Sequence, residues 1–283
     1  MSWDITDIDS YYRTPEGVLV ADILAAELSH QCRSGLIRTL TDTAEQLAVG
    51  YPFPLYPPGQ PLPPVFMLAE TGVLAWTKDE SVITACIDSD SFPCATDIFE
   101  QVFVSHALEY VADKVGFLSE IWRCLKGEGE LVMIVPHRRS LWARADKTPF
   151  GQGTPFSRRQ LKLILEQVGF GQIQIKHSLY MPPFGAKLPV IMRRRFHMIG
   201  RICWAMFGGV LIVVAKKRLY SSHHQPGHAL RQEVRQFMVR QPAGAVTPLS
   251  GDNSGQSSGK GDRLWIMILC ACGRRLTWLI SRF

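Results

Sequence analysis

Several things are scarce in this chain, and each scarcity narrows its class. The opening residues, MSWDITDIDSYYR, are acidic and hold no apolar stretch, so they do not read as a secretory signal. The two apolar runs near the other end, Leu264 to Cys272 and Leu276 to Phe283, are too short to span a bilayer. The 7 cysteines show no paired metal-site spacing, and Cys270 and Cys272 stand too close for two ligands of an ordinary structural zinc. No metal is expected, and the thiols read as reduced in a cytoplasmic protein. Acid is scarce after the first 120 residues, which hold 18 of the 25 Asp and Glu but only 5 Lys and Arg. Residues 121–220 reverse this with 18 basic and 4 acidic side chains. A two-signed domain lacks the continuous basic surface that neutralises several phosphates, so no nucleic-acid partner is expected.

What is present is ample core material, with 46% of 283 residues apolar. Its organising stretch runs from Thr96 to Arg138. Gln101 to Ser105 is a short apolar strand, and Lys114 to Leu125 puts Phe117, Leu118, Ile121, Trp122 and Leu125 on one helical stripe. Glu130 to Pro136 is a second apolar strand. Strand, helix and strand of this kind predict a parallel pair inside a covered α/β sheet. Gly127 and Gly129 are expected to supply the positive φ that turns the chain between helix and strand.

On these residues a resemblance rests. DIFEQVFVSHALEYV followed by FLSEIWRCLKGEGELVMIVP resembles the second half of the S-adenosylmethionine (SAM)-dependent methyltransferase domain of the type called methyltransferase 11. WARADKTPFGQGTPFSRRQLKLILEQVGF resembles a bacterial, alphaproteobacterial-looking subfamily with a W-A-R-x-[DE]-x-T-P-F-G-x-G motif. Asp146 stands where glutamate is usual in that motif, and Thr154 where arginine is usual. The resemblance implies a doubly wound, Rossmann-like α/β sheet of seven strands with an antiparallel edge, and SAM as cofactor. It extends from about Tyr11 to Tyr220, so residues 1–220 form the expected domain. Residues 1–34 form its helical cap, with Asp9 capping a helix that continues from Pro15. Residues 221–283, rich in Gly, Ser and Pro, form a low-complexity tail. The tail's apolar basic end is open to a membrane face or a protein partner.

The remaining strands are expected at Gln46 to Gly50, Val65 to Ala69, Val82 to Ile87, Gln172 to His177 and Gly209 to Ala215, with a helix over 189–207. Gly50 and Tyr51 match part of the subfamily's glycine turn, although Ala48 takes the first glycine's place and the prolines from Pro52 to Pro64 forbid an ordinary following helix. Glu70, at the end of the second strand, fits a carboxylate accepting from the ribose hydroxyls, or a solvated strand end. Asp88 and Ser89 resemble the stretch that holds the adenine. Ser105 and His106 fall after the fourth strand, where ligands of doubly wound sheets bind. His106 reads as a general base for a hydroxyl or phenol, or as a hydrogen-bonding group that moves no proton. Trp142 and Arg144 belong to a basic lid over a small-molecule acceptor, with Phe150 beside them. The sequence thus supports two functional classes: a SAM-dependent methyltransferase, and a methyltransferase-like fold that has lost catalysis and serves as a binding module.

Overall fold

The computed structural model describes residues 3–35, 37, 45–55, 62–74, 77–78, 81–183 and 208–219. All of them lie in the first, Met1–Arg240, of two compact units. The helix expected over 189–207, the indole of Trp76 and the tail 221–283 lie outside the described residues.

The leading segment forms two helices. In α1 (Ile5–Tyr12) the Asp4 side chain accepts from the amides of Thr6 and Asp7, and the Asp7 carboxylate returns a bond to the Asp4 amide. Asp9, expected as a cap, lies inside α1 and pairs with Arg13 at 2.7 Å. The break has a steric cause: Pro15 pushes the residue before it out of the helical region, and Thr14 sits at φ −72, ψ 155. Thr14 then caps α2 (Pro15–Arg33), with Pro15 in its first turn.

The strands are β1 (Gln46–Gly50), β2 (Val65–Leu68), β3 (Thr77–Lys78), β4 (Ser81–Val82), β5 (Thr84–Ile87), β6 (Phe99–Ser105), β7 (Leu125–Pro136), β8 (Phe170–Ser178) and β9 (Val210–Lys217). β3 and β4 pair as a separate antiparallel ribbon, so the expected strand from Val82 to Ile87 is divided between that ribbon and β5. The other seven form one sheet in the order β5-β2-β1-β6-β7-β9-β8. The five from β5 to β7 are parallel; β9 runs against both β7 and β8, which makes the antiparallel edge. This is the doubly wound seven-stranded architecture expected from the sequence.

Alternation along the strands sends successive side chains to opposite layers. Leu47, Val49, Val102 and Val104 pack with Phe117, Leu118 and Ile121 of α3 (Lys114–Cys124), and with Leu161, Ile164 and Leu165 of α4 (Arg158–Val168). Ala48, Met67, Phe103 and Val132 face the other way, against Ile5, Ile8 and Tyr12 of α1 and Leu24 of α2. A fully buried Leu or Phe contributes about 1.5–3 kcal/mol, so both layers hold the sheet. Ala48 is thus a strand residue of the core, two positions short of the turn.

Three expectations are corrected here. Neither Gly127 nor Gly129 has positive φ; Glu128 between them does, at 61°. Space explains Gly129 instead, since a Cβ there would stand 2.8 Å from the Lys126 carbonyl, whereas one at Gly127 would meet only the end of the exposed Leu219 side chain. The chain leaves α3 directly into β7 at Leu125. Cys94 and Cys124, expected as free thiols, are joined as a disulfide, because the turn before β6 packs against the end of α3 and brings their Cα atoms to 6.6 Å.

Candidate active site

Four parallel strands, β5, β2, β1 and β6, end on the same side of the sheet, and most of the candidate residues sit in the turns beyond them. β1 stops at Gly50, whose φ is 89°. A Cβ there would fall 2.1 Å from the Ser105 carbonyl oxygen, so only glycine lets the chain turn this close to β6. The Tyr51 amide donates to that same carbonyl at 2.8 Å. The next element is a one-turn 3-10 helix, Phe53–Leu55, and no α-helix is described between β1 and β2.

β6 runs into the turn Ser105–Tyr110, and its first residue after the strand, His106, holds φ at 51°. A non-glycine residue in that region costs of order 1–3 kcal/mol and persists only where the surroundings impose it. The imposing contacts are visible. Ala107 and Leu108 are buried below it, and the Thr154 amide donates to the Glu109 carbonyl at 2.9 Å. That bond ties the turn to the long segment between β7 and α4.

His106 is 2% exposed and its ring is gripped on three sides. Nε2 lies 2.8 Å from the Tyr12 hydroxyl, Nδ1 lies 3.3 Å from Glu109 Oε1, and the Phe150 ring centroid is 5.1 Å away. Burial foremost, then the neighbouring Tyr11 and Glu109, holds the Tyr12 phenol well above its ordinary pKa, so it remains protonated. Tyr51 is also pushed up, chiefly by burial and then by its bond to Asp9, to which its hydroxyl donates. The Tyr12 and Tyr51 rings are stacked with centroids 5.9 Å apart.

α1 therefore spans the strand ends. Its first amide, Ile5, donates to the Thr71 carbonyl after β2; Asp9 takes the hydroxyl after β1; Tyr12 reaches the histidine after β6. α1 thus lies over the ends of β2, β1 and β6.

The other candidates divide into two groups. Glu70, after β2, accepts from the hydroxyl of Ser89, after β5, at 2.5 Å; Glu70 is exposed and Ser89 half-buried, with Asp88 exposed beside them. These three are brought together at neighbouring strand ends. Trp142 is 1% exposed, donates through Nε1 to the Met181 carbonyl and packs edge-on against Phe150 at 5.6 Å. It braces the wall behind His106. Arg144, one short 3-10 turn along, is exposed. Ser105 is buried with its hydroxyl free of hydrogen bonds among the described residues.

Sequence reasoning did not single out Tyr12 or Glu109 for the site. Tyr12 looked like one more apolar position on an amphipathic helix, and Glu109 like a polar break in ALEYV. The signal for Glu109 was there: an acid flanked on both sides by residues that must be buried.

Residues 69–133 match the family model of a methyltransferase domain. That stretch runs from the end of β2 through β5, β6 and α3 into β7. No curated protein matches the chain in sequence. Among solved structures it is similar to a SAM-dependent methyltransferase of Thermotoga maritima, with 14% identity, 76% of this chain and 96% of that one covered, and a TM-score of 0.48. It is also similar to a SAM-dependent methyltransferase of Archaeoglobus fulgidus, at 16% identity, 68% and 94% coverage and TM-score 0.46. A third is the geranyl diphosphate C-methyltransferase of Streptomyces coelicolor, at 16% identity, 77% and 91% coverage and TM-score 0.46. No described helix is long and apolar enough to cross a membrane.

Proposed function

We propose that this protein is a methyltransferase that moves a methyl group from SAM to a small-molecule acceptor. One observation carries the proposal: the segment matching the methyltransferase family model contains the turns that bear Glu70, Asp88, Ser89, Ser105 and His106, all at one end of a doubly wound sheet. The donor set suits the cofactor. Glu70, already accepting from Ser89, has a second oxygen for ribose hydroxyls, and exposed Asp88 can accept from the adenine amine. Beside the turn at Gly50 and Tyr51, the Ser105 hydroxyl, without a hydrogen bond among the described residues, is left for the methionyl end.

Bound SAM supplies a methyl already activated by its sulfonium. The chain's share is alignment and exclusion of water, which α1 and the wall of Trp142 and Phe150 provide. His106 holds or accepts a proton at Nε2. Exposed Arg144 belongs to the rim, where it selects the acceptor. The motif from Trp142 to Gly153 supports placing the chain in the bacterial subfamily.

A second reading, a binding module without catalysis, has its own observation: β1 leads into no described α-helix, and buried Tyr12 and Tyr51 occupy the ground beyond it. Calorimetry with SAM and with S-adenosylhomocysteine separates the two readings. Micromolar binding, lost in Glu70→Ala, is expected, together with turnover against an acceptor library. Absence of heat with either ligand overturns the methyltransferase reading.

A further inference from the structure

The acceptor's chemistry is narrowed by what surrounds His106. Nδ1 of His106 is the nitrogen on the side of the Glu109 carboxyl, so the tautomer with its hydrogen on Nδ1 avoids turning a lone pair on that carboxyl and leaves Nε2 to accept from the Tyr12 hydroxyl at 2.8 Å. That hydrogen is on the side of Glu109 Oε1, 3.3 Å away. The Glu109 side chain is 1% exposed, and neither of its oxygens accepts a hydrogen bond among the described residues. A carboxyl so buried and so poorly bonded is favoured by positive charge beside it, which a proton on the adjoining imidazole supplies. The pair is built to receive a proton on Nε2. At present the group presented to Nε2 is a phenol, its ring stacked on Tyr51 and edge-on to His106 at 5.7 Å.

We propose that the acceptor is an aromatic hydroxyl compound that takes the place of the Tyr12 side chain, its ring against Tyr51 and its hydroxyl on His106 Nε2, with Glu109 as the positioning residue. The proposal rests on the methyl-transfer reading above. In the step, the phenolic oxygen forms a bond to the methyl carbon as the carbon–sulfur bond of the sulfonium breaks. The electron pair stays on sulfur, giving a neutral thioether. The phenolic proton passes to Nε2, and the imidazolium formed is held beside Glu109. Tyr12 sits in the last turn of α1 with Gly17 of α2 packed on its backbone, so its withdrawal moves the α1–α2 junction, while the Ile5 bond to Thr71 anchors the other end of α1.

The test begins with S-adenosylhomocysteine calorimetry on the full chain, because failure there overturns methyl transfer itself. With that ligand saturating, 4-nitrophenol is titrated at a pH where the free probe is protonated, and its phenolate absorbance reads where the proton goes. Tyr12→Ala is expected to bind the probe at least tenfold more tightly than wild type and to show the phenolate band. Tyr12→Ala with Glu109→Gln is expected to lose the band, and Glu109→Asp to restore part of it. Tyr12→Leu is read in the same way if Tyr12→Ala fails to fold. 4-Nitroanisole, which has no proton to give, is expected to show no comparable gain. If S-adenosylhomocysteine binds but 4-nitrophenol gains nothing in either Tyr12 variant, or if 4-nitroaniline gains more, the phenol assignment falls and methyl transfer stands. A phenolate band that persists with Glu109→Gln overturns the role given to Glu109.

Discussion

The Tyr51 hydroxyl donates to Asp9 Oδ1 at 2.5 Å, joining the turn after β1 to the middle of α1 across 42 residues of sequence. A bond to a charged acceptor of this kind contributes about 1.5–3 kcal/mol. Tyr51→Phe removes the bond and leaves the ring. A loss of stability of about 1.5–3 kcal/mol is expected in urea denaturation, with a several-fold rise in cleavage by limited proteolysis in the segment joining α1 to α2. Unchanged cleavage would mean that α1 is held without help from this bond.

Gly50→Ala is expected to damage the fold itself. The added Cβ meets a backbone carbonyl at 2.1 Å, with φ at 89°, and neither β1 nor β6 can withdraw without breaking its ladder. The expected loss is about 2–4 kcal/mol in urea denaturation. A loss below about 0.5 kcal/mol, within the range of ordinary surface substitutions, would show that the turn has slack.

The pair of His137 and His177, rings 4.8 Å apart, sets a pH dependence. Burial first, then the charges of His137 and Arg158, lowers His177 from 6.5 to about 4. His137 is lowered as well, mainly by burial. In the unfolded chain these rings take up protons at the ordinary pH, and in the folded chain only below it. The stability they confer is therefore complete above about pH 6.5 and declines as pH falls towards 4. His177 is only partly buried, which reduces the effect to about 1–3 kcal/mol. Melting temperatures between pH 7 and pH 4 are expected to fall less steeply in His177→Gln than in wild type. Parallel curves would remove His177 from the account.

The last described strand, β9, ends at Lys217, and the described helices all precede it. A chain ending at Tyr220 is expected to melt at the temperature of the full chain and to show the same shift with S-adenosylhomocysteine, because the cofactor residues all precede that point. Attachment to a membrane face or a partner, proposed for Leu264 to Phe283, is expected to be lost in vesicle flotation or pull-down. A melting point lowered by many degrees would place the boundary elsewhere.

The sheet was legible because its signals are local. Val102, Val104, Leu131 and Met133 lie in short apolar runs, and the stripe of Phe117, Leu118 and Ile121 predicts the helix between them. The cluster proposed for adenosine was half legible: Glu70 and Asp88 come just after apolar runs that read as strands, but the bond from Ser89 to Glu70 needs the register of β2 and β5. The Tyr12–His106–Glu109 chain was not legible. Periodicity gives Tyr12 a buried face and nothing more, and its partner depends on how α1 lies across the sheet. The disulfide was missed for a similar reason, since spacing of 30 residues carries no pairing signal without the packing of α3.

The span of 94 residues between Tyr12 and His106 has a consequence for biosynthesis. Chains grow at about 5–20 residues per second, so α1 is made roughly 5–20 s before the histidine that receives it. For that interval Tyr12 has no histidine to receive it, and the ends of β1 and β2 are the strand ends on which α1 can dock first. The nascent N-terminal segment is the part of this domain most in need of a temporary binder, and slowing or speeding translation between codons 12 and 106 alters how long that need lasts.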